Sequence, residues 1–170
     1  MRAAAALLCV ALGQVIAPPR DGAAIAPKTG TGVITGRVLA GTTAVRDLSQ
    51  LGKIEVRADV DAIDVDAEVV RITPRRALVL CPYKQCAELR ARLPGTVIDM
   101  TGALAGLELE GERAMRRLTD LDLEALPAAG KVAEVPALVL RDDSRFRIFF
   151  PQEFAHYIGE VVLDVLEGIE

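Results

Sequence analysis

The feature that most constrains this chain of 170 residues is a continuous apolar run that ends on a cysteine–proline pair. Residues 77–83 read Ala-Leu-Val-Leu-Cys-Pro-Tyr, and residues 84–93 have the spacing of an amphipathic helix. Such a run predicts a strand that is covered on both faces. Cys81 then stands at a strand-to-helix junction, where backbone N–H groups and the helix dipole favour a thiolate. This makes Cys81 a candidate nucleophile.

The composition argues against several classes of function. Only 4% of the residues are aromatic, there is no Trp, and the net charge is −4 with dispersed basic residues. Nucleic-acid binding, which depends on neutralising phosphates, is therefore disfavoured. The one histidine, His156, lies far along the chain from Cys81 and Cys86, so these residues do not form a zinc-binding pattern. We expect no metal, no cofactor and no nucleic acid.

The N-terminal region has the features of an exported protein. Residues 1–17 begin with Met1-Arg2, continue through an apolar stretch and end before Pro18-Pro19, which predicts a signal peptide. The stretch is too short for a conventional membrane span. The mature chain is then expected to be periplasmic or secreted, without a stable membrane span; the alternative is the Ala-rich tail of a cytosolic protein. Residues 18–32, rich in Pro, Gly, Ala and Thr, predict a flexible lead-in.

Residues 33–75 are interpreted as a β-rich extension. Val33 to Ala40 is a possible strand, and residues 54–72 alternate between apolar and polar side chains. The apolar phase changes near Ala62, which predicts a bulge or tight turn between half-buried strands. The acidic residues of this region fall on the polar side of the pattern, so they are expected to form a solvated face.

From residue 77 onward the pattern alternates between strands and helices. A helix over 84–93 and a strand over 96–100 precede a helix within 108–126. Strands over 131–140 and 145–150 suggest a hairpin, and Pro151 opens a last helix. This order predicts an α/β fold with a mixed sheet flanked by helices.

Residues 76–170 resemble the thioredoxin-like superfamily, and glutaredoxins in particular. The residues that carry the resemblance are Cys81-Pro82-Tyr83 at the end of a strand and Val135-Pro136 before a later apolar strand. The resemblance implies a nucleophilic Cys81 and a cis-proline at Pro136 that faces the thiol. Lys84, one turn into the helix, is a candidate for stabilising the thiolate.

The spacing of the second cysteine departs from the family pattern. Catalytic members carry C-x-x-C, but position 84 is Lys and the next cysteine is Cys86. In a regular helix, Cα atoms five residues apart are about 8–9 Å apart, whereas a disulfide needs less than about 7 Å. Cys86 is therefore a doubtful resolving thiol, and a small apolar core residue is the favoured interpretation.

Three functions follow as hypotheses. The first is an exported thioredoxin-like protein, non-catalytic or weakly redox-active, that binds a protein partner in an envelope, secretion or conjugation assembly. The second is a thiol–disulfide oxidoreductase that uses Cys81. The third abandons the resemblance for a small OB-like β barrel that binds a ligand. Whether the chain is an enzyme, its oligomeric state and any Cys81–Cys86 bridge stay open at this point.

Overall fold

The computed structural model describes residues 44–169, which form two antiparallel sheets stacked face to face. The elements of this part of the chain are, in order, β1 (Val45–Asp47), β2 (Gly52–Arg57), β3 (Glu68–Thr73), β4 (Arg76–Cys81), α1 (Cys86–Arg92), β5 (Thr96–Asp99), β6 (Leu104–Glu110), α2 (Glu112–Leu118), β7 (Ala128–Val132), β8 (Val135–Asp142), β9 (Arg145–Pro151) and α3 (Ala155–Glu167). One sheet has the order β3-β4-β2-β5 and the other β1-β6-β9-β8-β7.

Three apolar clusters define four layers. The cluster between the sheets is built from side chains such as Leu80, Met100 and Phe149. A second cluster joins α1 to the outer face of the four-stranded sheet. The third joins α2 and α3 to the outer face of the five-stranded sheet. The layers follow the order helix, sheet, sheet, helices. Both faces of each sheet are therefore buried, and the apolar side of every helix packs against a sheet.

Residues 52–99 and 104–167 repeat the same arrangement. β2 pairs with β4 as β6 pairs with β9, and both β4 and β9 lead through a proline and a 3₁₀ turn into a helix. The two prolines have nearly identical backbone angles, φ −57° and ψ 135° at Pro82 and φ −58° and ψ 134° at Pro151. β5 pairs with β2 as β1 pairs with β6. We call residues 52–99 the first repeat and 104–167 the second.

Two equivalent turns carry the chain from one sheet to the other. Ser49 N donates to Asp47 Oδ1 at 2.7 Å, and Thr101 N donates to Asp99 Oδ1 at 3.0 Å. An aspartate that accepts the N–H two residues on forms a local turn without a glycine. The Asp47 turn connects β1 to β2, and the Asp99 turn connects β5 to β6. The two sheets are thus joined twice by the same kind of short aspartate turn.

The expected thioredoxin-like mixed sheet is wrong. β4, α1 and β5 follow one another along the chain, but β2 lies between β4 and β5 in the sheet and is antiparallel to both. β2 and β3 come from the region that was interpreted as an extension, and they belong to the same sheet as β4. The physical reason is that periodicity reports which faces of a strand are buried but does not report which strands are adjacent.

The structure tests several predictions about single turns, helices and strands. The phase change near Ala62 is confirmed, because a 3₁₀ turn at Val60–Ala62 separates β2 from β3. The helix expected from 108 begins only at Glu112, after Gly111 with φ 104° ends β6. The strand expected over 131–140 is instead a hairpin of β7 and β8. The predicted signal peptide, the lead-in and the strand at 33–40 lie outside the described residues. Within 44–169 no helix has both the length and the hydropathy needed to cross a bilayer.

Candidate functional site

The two cysteines meet at the end of β4. Cys81 Sγ and Cys86 Sγ are 3.3 Å apart, and the residues are only 4% and 5% exposed. Cys81 is the last residue of β4, while Cys86 begins α1 after a 3₁₀ turn at Tyr83–Gln85. The large separation expected for these residues assumed one continuous helix. The intervening turn removes that separation and brings the two thiols into contact.

Gly52 makes room for the two sulfur atoms. It pairs with Cys81 across the sheet, and a Cβ at this position would lie 1.9 Å from Cys86 Sγ and 2.8 Å from Cys81 Sγ. In the second repeat the corresponding pair is Ala105 and Phe150, and its helix begins with Ala155. In the second repeat, hydrocarbon side chains therefore fill the space that the two thiols fill in the first repeat. This comparison favours a packing role for Cys81 and Cys86.

The electrostatic environment opposes a thiolate at Cys81. Burial raises the pKa of the Cys81 thiol to about 12, and the Cys86 thiol and the Asp99 carboxylate act in the same direction. Lys84 is exposed in the 3₁₀ turn and is not among the groups that shift this pKa. A nucleophilic cysteine needs a lowered pKa and access to solvent, so the geometry supports neither the nucleophile at Cys81 nor the stabilising role of Lys84.

Pro136 does not face the cysteines as a cis-proline. It lies in β8 of the five-stranded sheet, opposite Lys131, whereas Cys81 lies in the other sheet. The cis peptide bond found within 44–169 is Leu126–Pro127. The expected arrangement of Pro136 and Cys81 is therefore wrong, because it assumed that both residues belong to one sheet.

Lys53 is a buried charge that the sequence pattern did not reveal. It is fully buried at 0% exposure, and Nζ donates to Ser49 O at 2.7 Å and to Leu51 O at 2.8 Å. Burial lowers the pKa of Lys53 from 10.5 to about 8, while Asp47 opposes this shift. The amine thus holds the carbonyl groups of the turn that joins β1 to β2. The alternation of apolar and polar residues along β2 predicted that only the apolar face is buried. The sequence gives no sign of the second sheet that covers the polar face.

Glu55 is a second charged residue buried between the sheets. Its carboxylate accepts from Arg76 Nη2 at 2.6 Å and from Arg57 Nε at 2.7 Å, and the carboxylate side chain is 1% exposed. The space between the sheets beside Glu55 has a volume of about 10 Å³, roughly room for one water molecule. The charges therefore serve ion pairing within the fold, and the space beside them is too small for an organic ligand.

A further ion pair links the two sheets directly. Arg147 of β9 donates through Nη1 and Nη2 to the two carboxylate oxygens of Glu68 in β3, each at 2.6 Å. Hydrogen bonding to Glu68 raises the pKa of Arg147. Among residues 44–169, no three His, Cys, Asp or Glu side chains gather in an arrangement that could hold a metal ion.

No protein-family model and no curated protein matches the sequence. Among solved structures, the fold is similar to a chain of heterotetrameric sarcosine oxidase from Corynebacterium sp. U-96 in complex with pyrrole 2-carboxylate, with a TM-score of 0.59 and 17% identity over 73% of this chain and 83% of that chain. Regulatory subunits of aspartate kinase from Thermus thermophilus and Thermus flavus match with TM-scores of 0.46 and 0.44, identities of 14% and 13%, and coverage of 72% and 73% of this chain and 97% of each of theirs. The sarcosine oxidase chain is thus a subunit of an oligomeric protein.

These findings correct the functional hypotheses drawn from the sequence. The structural similarity is to a two-sheet antiparallel fold and not to the thioredoxin-like superfamily. The thioredoxin-like protein and the thiol–disulfide oxidoreductase are therefore wrong, and no redox role or disulfide is supported; the periplasmic or secreted location stays a prediction. The OB-like barrel is wrong as well, because it required residues 84–93 to be strand or loop, and α1 occupies Cys86–Arg92.

Proposed function

We propose that the chain is an accessory subunit that assembles with larger catalytic chains of a multi-subunit oxidoreductase. The observation that carries the proposal is the shared fold with a chain of heterotetrameric sarcosine oxidase, which extends over 83% of that chain. At 17% identity the substrate of the oxidase does not transfer with the fold. The proposal therefore concerns the role of a subunit and the class of its partner.

The use of the reactive side chains inside the fold supports a subunit without its own active site. Lys53 donates to two backbone carbonyls, Glu55 pairs with Arg76, and Cys81 contacts Cys86. Lys53 and Glu55 are buried between the two sheets, and the two cysteines are buried between the four-stranded sheet and α1, where a substrate has no access. A subunit of this kind contributes a rigid surface to an assembly, while the chemistry takes place in its partners.

The native mass of the chain in its own cells tests this proposal. The full chain carries a C-terminal affinity tag at its chromosomal locus, and the purified material is analysed by light scattering after size exclusion and by native mass spectrometry. We expect a stoichiometric complex with at least one larger chain, and oxidoreductase activity in the same fractions. A chain that runs at the mass of one copy under these conditions contradicts the proposal.

A further inference from the structure

The outward side of α3 carries two aromatic side chains in contact with solvent. Phe154, in the 3₁₀ turn before the helix, is 38% exposed, and Tyr157 is 46% exposed. Residues three apart lie on one face of a helix. The Tyr157 hydroxyl donates to Ala133 O at 3.2 Å, which holds the ring against the turn between β7 and β8. Aromatic side chains are enriched at interaction surfaces.

The first repeat shows that the fold does not need aromatic residues at these positions. α1 begins at Cys86 and α3 begins at Ala155, so Gln85 corresponds to Phe154 and Glu88 to Tyr157. Gln85 and Glu88 are both polar and exposed. Since the same strand–turn–helix unit forms with polar residues there, the unit itself does not require the aromatic pair, although the Tyr157 hydroxyl also contacts the β7–β8 turn.

The charged side chains of α3 are mostly acidic. From Pro151 to Glu170 the sequence contains no Lys or Arg, and Glu160 and Asp164 are exposed on the outward side of the helix, where Glu160 Oε1 lies 3.2 Å from His156 Nε2. The last turn has no basic residue, although basic side chains are favoured there by the helix dipole. The terminal carbonyls are instead bound from α2, by Arg113 to Ile169 O and Arg117 to Gly168 O. The positive charge at this end of the helix therefore comes from α2 and not from α3 itself.

We infer that Phe154, Tyr157, Glu160 and Asp164, here called the α3 face, form the docking surface for a lysine- and arginine-rich segment of a partner subunit. The inference rests on the proposed function, which it deepens by naming the surface and the chemistry of the partner. The carboxylates complement the cationic groups, and the rings cover the apolar stems of lysine and arginine side chains and contact their charges. The ordered position of Tyr157 lowers the entropic cost of this contact.

A peptide titration followed by NMR tests the surface directly. The probe is a 14-residue helical peptide made only of lysine and leucine, added to the 15N-labelled full chain; a peptide with glutamate at every lysine position is the reference. We expect chemical-shift changes confined to residues 152–167, and binding that weakens at least tenfold in 0.5 M salt because the charges are screened. Shift changes on another face, or equal binding of the glutamate peptide, overturn the inference.

Matched variants separate docking from folding. Phe154→Gln copies the residue of the first repeat and is expected to weaken peptide binding about tenfold, as is Glu160→Lys. Tyr83→Gln removes an aromatic side chain that is 48% exposed beside α1 and is expected to leave binding unchanged. Unfolding midpoints of all three variants should match that of the wild type. Equal binding of Phe154→Gln and wild type contradicts the assignment of the α3 face.

The same variants in the native assembly distinguish the two proposals. If the wild-type chain forms a complex with a larger partner and Phe154→Gln and Glu160→Lys do not, both proposals hold. If all variants enter the complex equally, the α3 face is wrong and the proposed function stands. If the wild type is a monomer, the proposed function is wrong, and with it the inferred partner. A dimer of this chain alone that Phe154→Gln dissociates makes a second copy the occupant and overturns the inferred partner.

Discussion

Replacing Gly52 by alanine tests how the buried cysteines are packed. The added methyl group would lie 1.9 Å from Cys86 Sγ and 2.8 Å from Cys81 Sγ, so both sulfur atoms must move within a filled layer. Overpacking of this kind costs about 1–3 kcal/mol, and replacing glycine in a strand returns about 0.5–1 kcal/mol. Because two sulfur atoms are displaced, we expect Gly52→Ala to lower the free energy of unfolding by about 2 kcal/mol.

A second substitution makes the effect specific. Cys86→Ala removes one of the sulfur atoms and should cost about 1 kcal/mol through the small cavity that it leaves. In the double variant the new methyl group occupies this space, as Ala105 and Ala155 do in the second repeat. The double variant should therefore be less destabilised than the sum of the single changes by at least about 1.5 kcal/mol.

Urea unfolding followed by circular dichroism measures these differences by linear extrapolation. Gly102→Ala is the matched control, because a Cβ at Gly102 has no atom within 4 Å, and its effect should stay within about 0.5 kcal/mol. If the two single changes are additive to within about 0.5 kcal/mol, Gly52 and Cys86 do not share this space and the proposed packing is wrong.

Three further outcomes follow from the buried and paired charges. Lys53 has a pKa of about 8 when folded and 10.5 when free, so the unfolded chain binds more protons above pH 8 and the unfolding free energy should rise by about 1 kcal/mol from pH 8 to 9. The raised pKa of Cys81 lowers the unfolding free energy over the same pH range by less than half of this gain. If the unfolding free energy still rises in Lys53→Met, the rise belongs to another group. Glu68→Gln should cost about 1 kcal/mol in low salt, and a double-mutant cycle with Arg147→Gln should show this coupling fall in 1 M salt. A disulfide reagent should modify Cys81 at least a hundredfold more slowly in the folded chain than in urea; comparable rates would show that the thiol is accessible.

The sequence predicted burial well and strand neighbours poorly. The apolar run at 77–81 is a fully buried strand, and the phase change near Ala62 marks a real turn. Both are local signals, because hydrophobic periodicity depends on the face of the element to which a residue belongs. The insertion of β2 between β4 and β5 has no local signal, and it is this insertion that distinguishes the observed sheet from a mixed one.

The functional expectation failed for the same reason. A cysteine–proline pair before a helix resembles a redox site only if two conditions hold. The strand that carries it must have a parallel neighbour, and the cysteine must be open to solvent at the start of the helix. Here Gly52 of β2 covers Cys81, and a 3₁₀ turn places Cys86 against it. The signal that could have revealed the repeat was the similarity of residues 45–49 and 97–101, which read Val-Arg-Asp-Leu-Ser and Val-Ile-Asp-Met-Thr.

The strand order of the first sheet is the basis of the two-sheet fold, and interstrand nuclear Overhauser effects in the 15N,13C-labelled chain measure it. We expect contacts from Val56 to both Ala77 and Val97, because β2 lies between β4 and β5 with these residues as partners. Direct backbone contacts between β4 and β5, in a parallel pattern and without β2 between them, would contradict the two-sheet fold and the subunit role proposed from it.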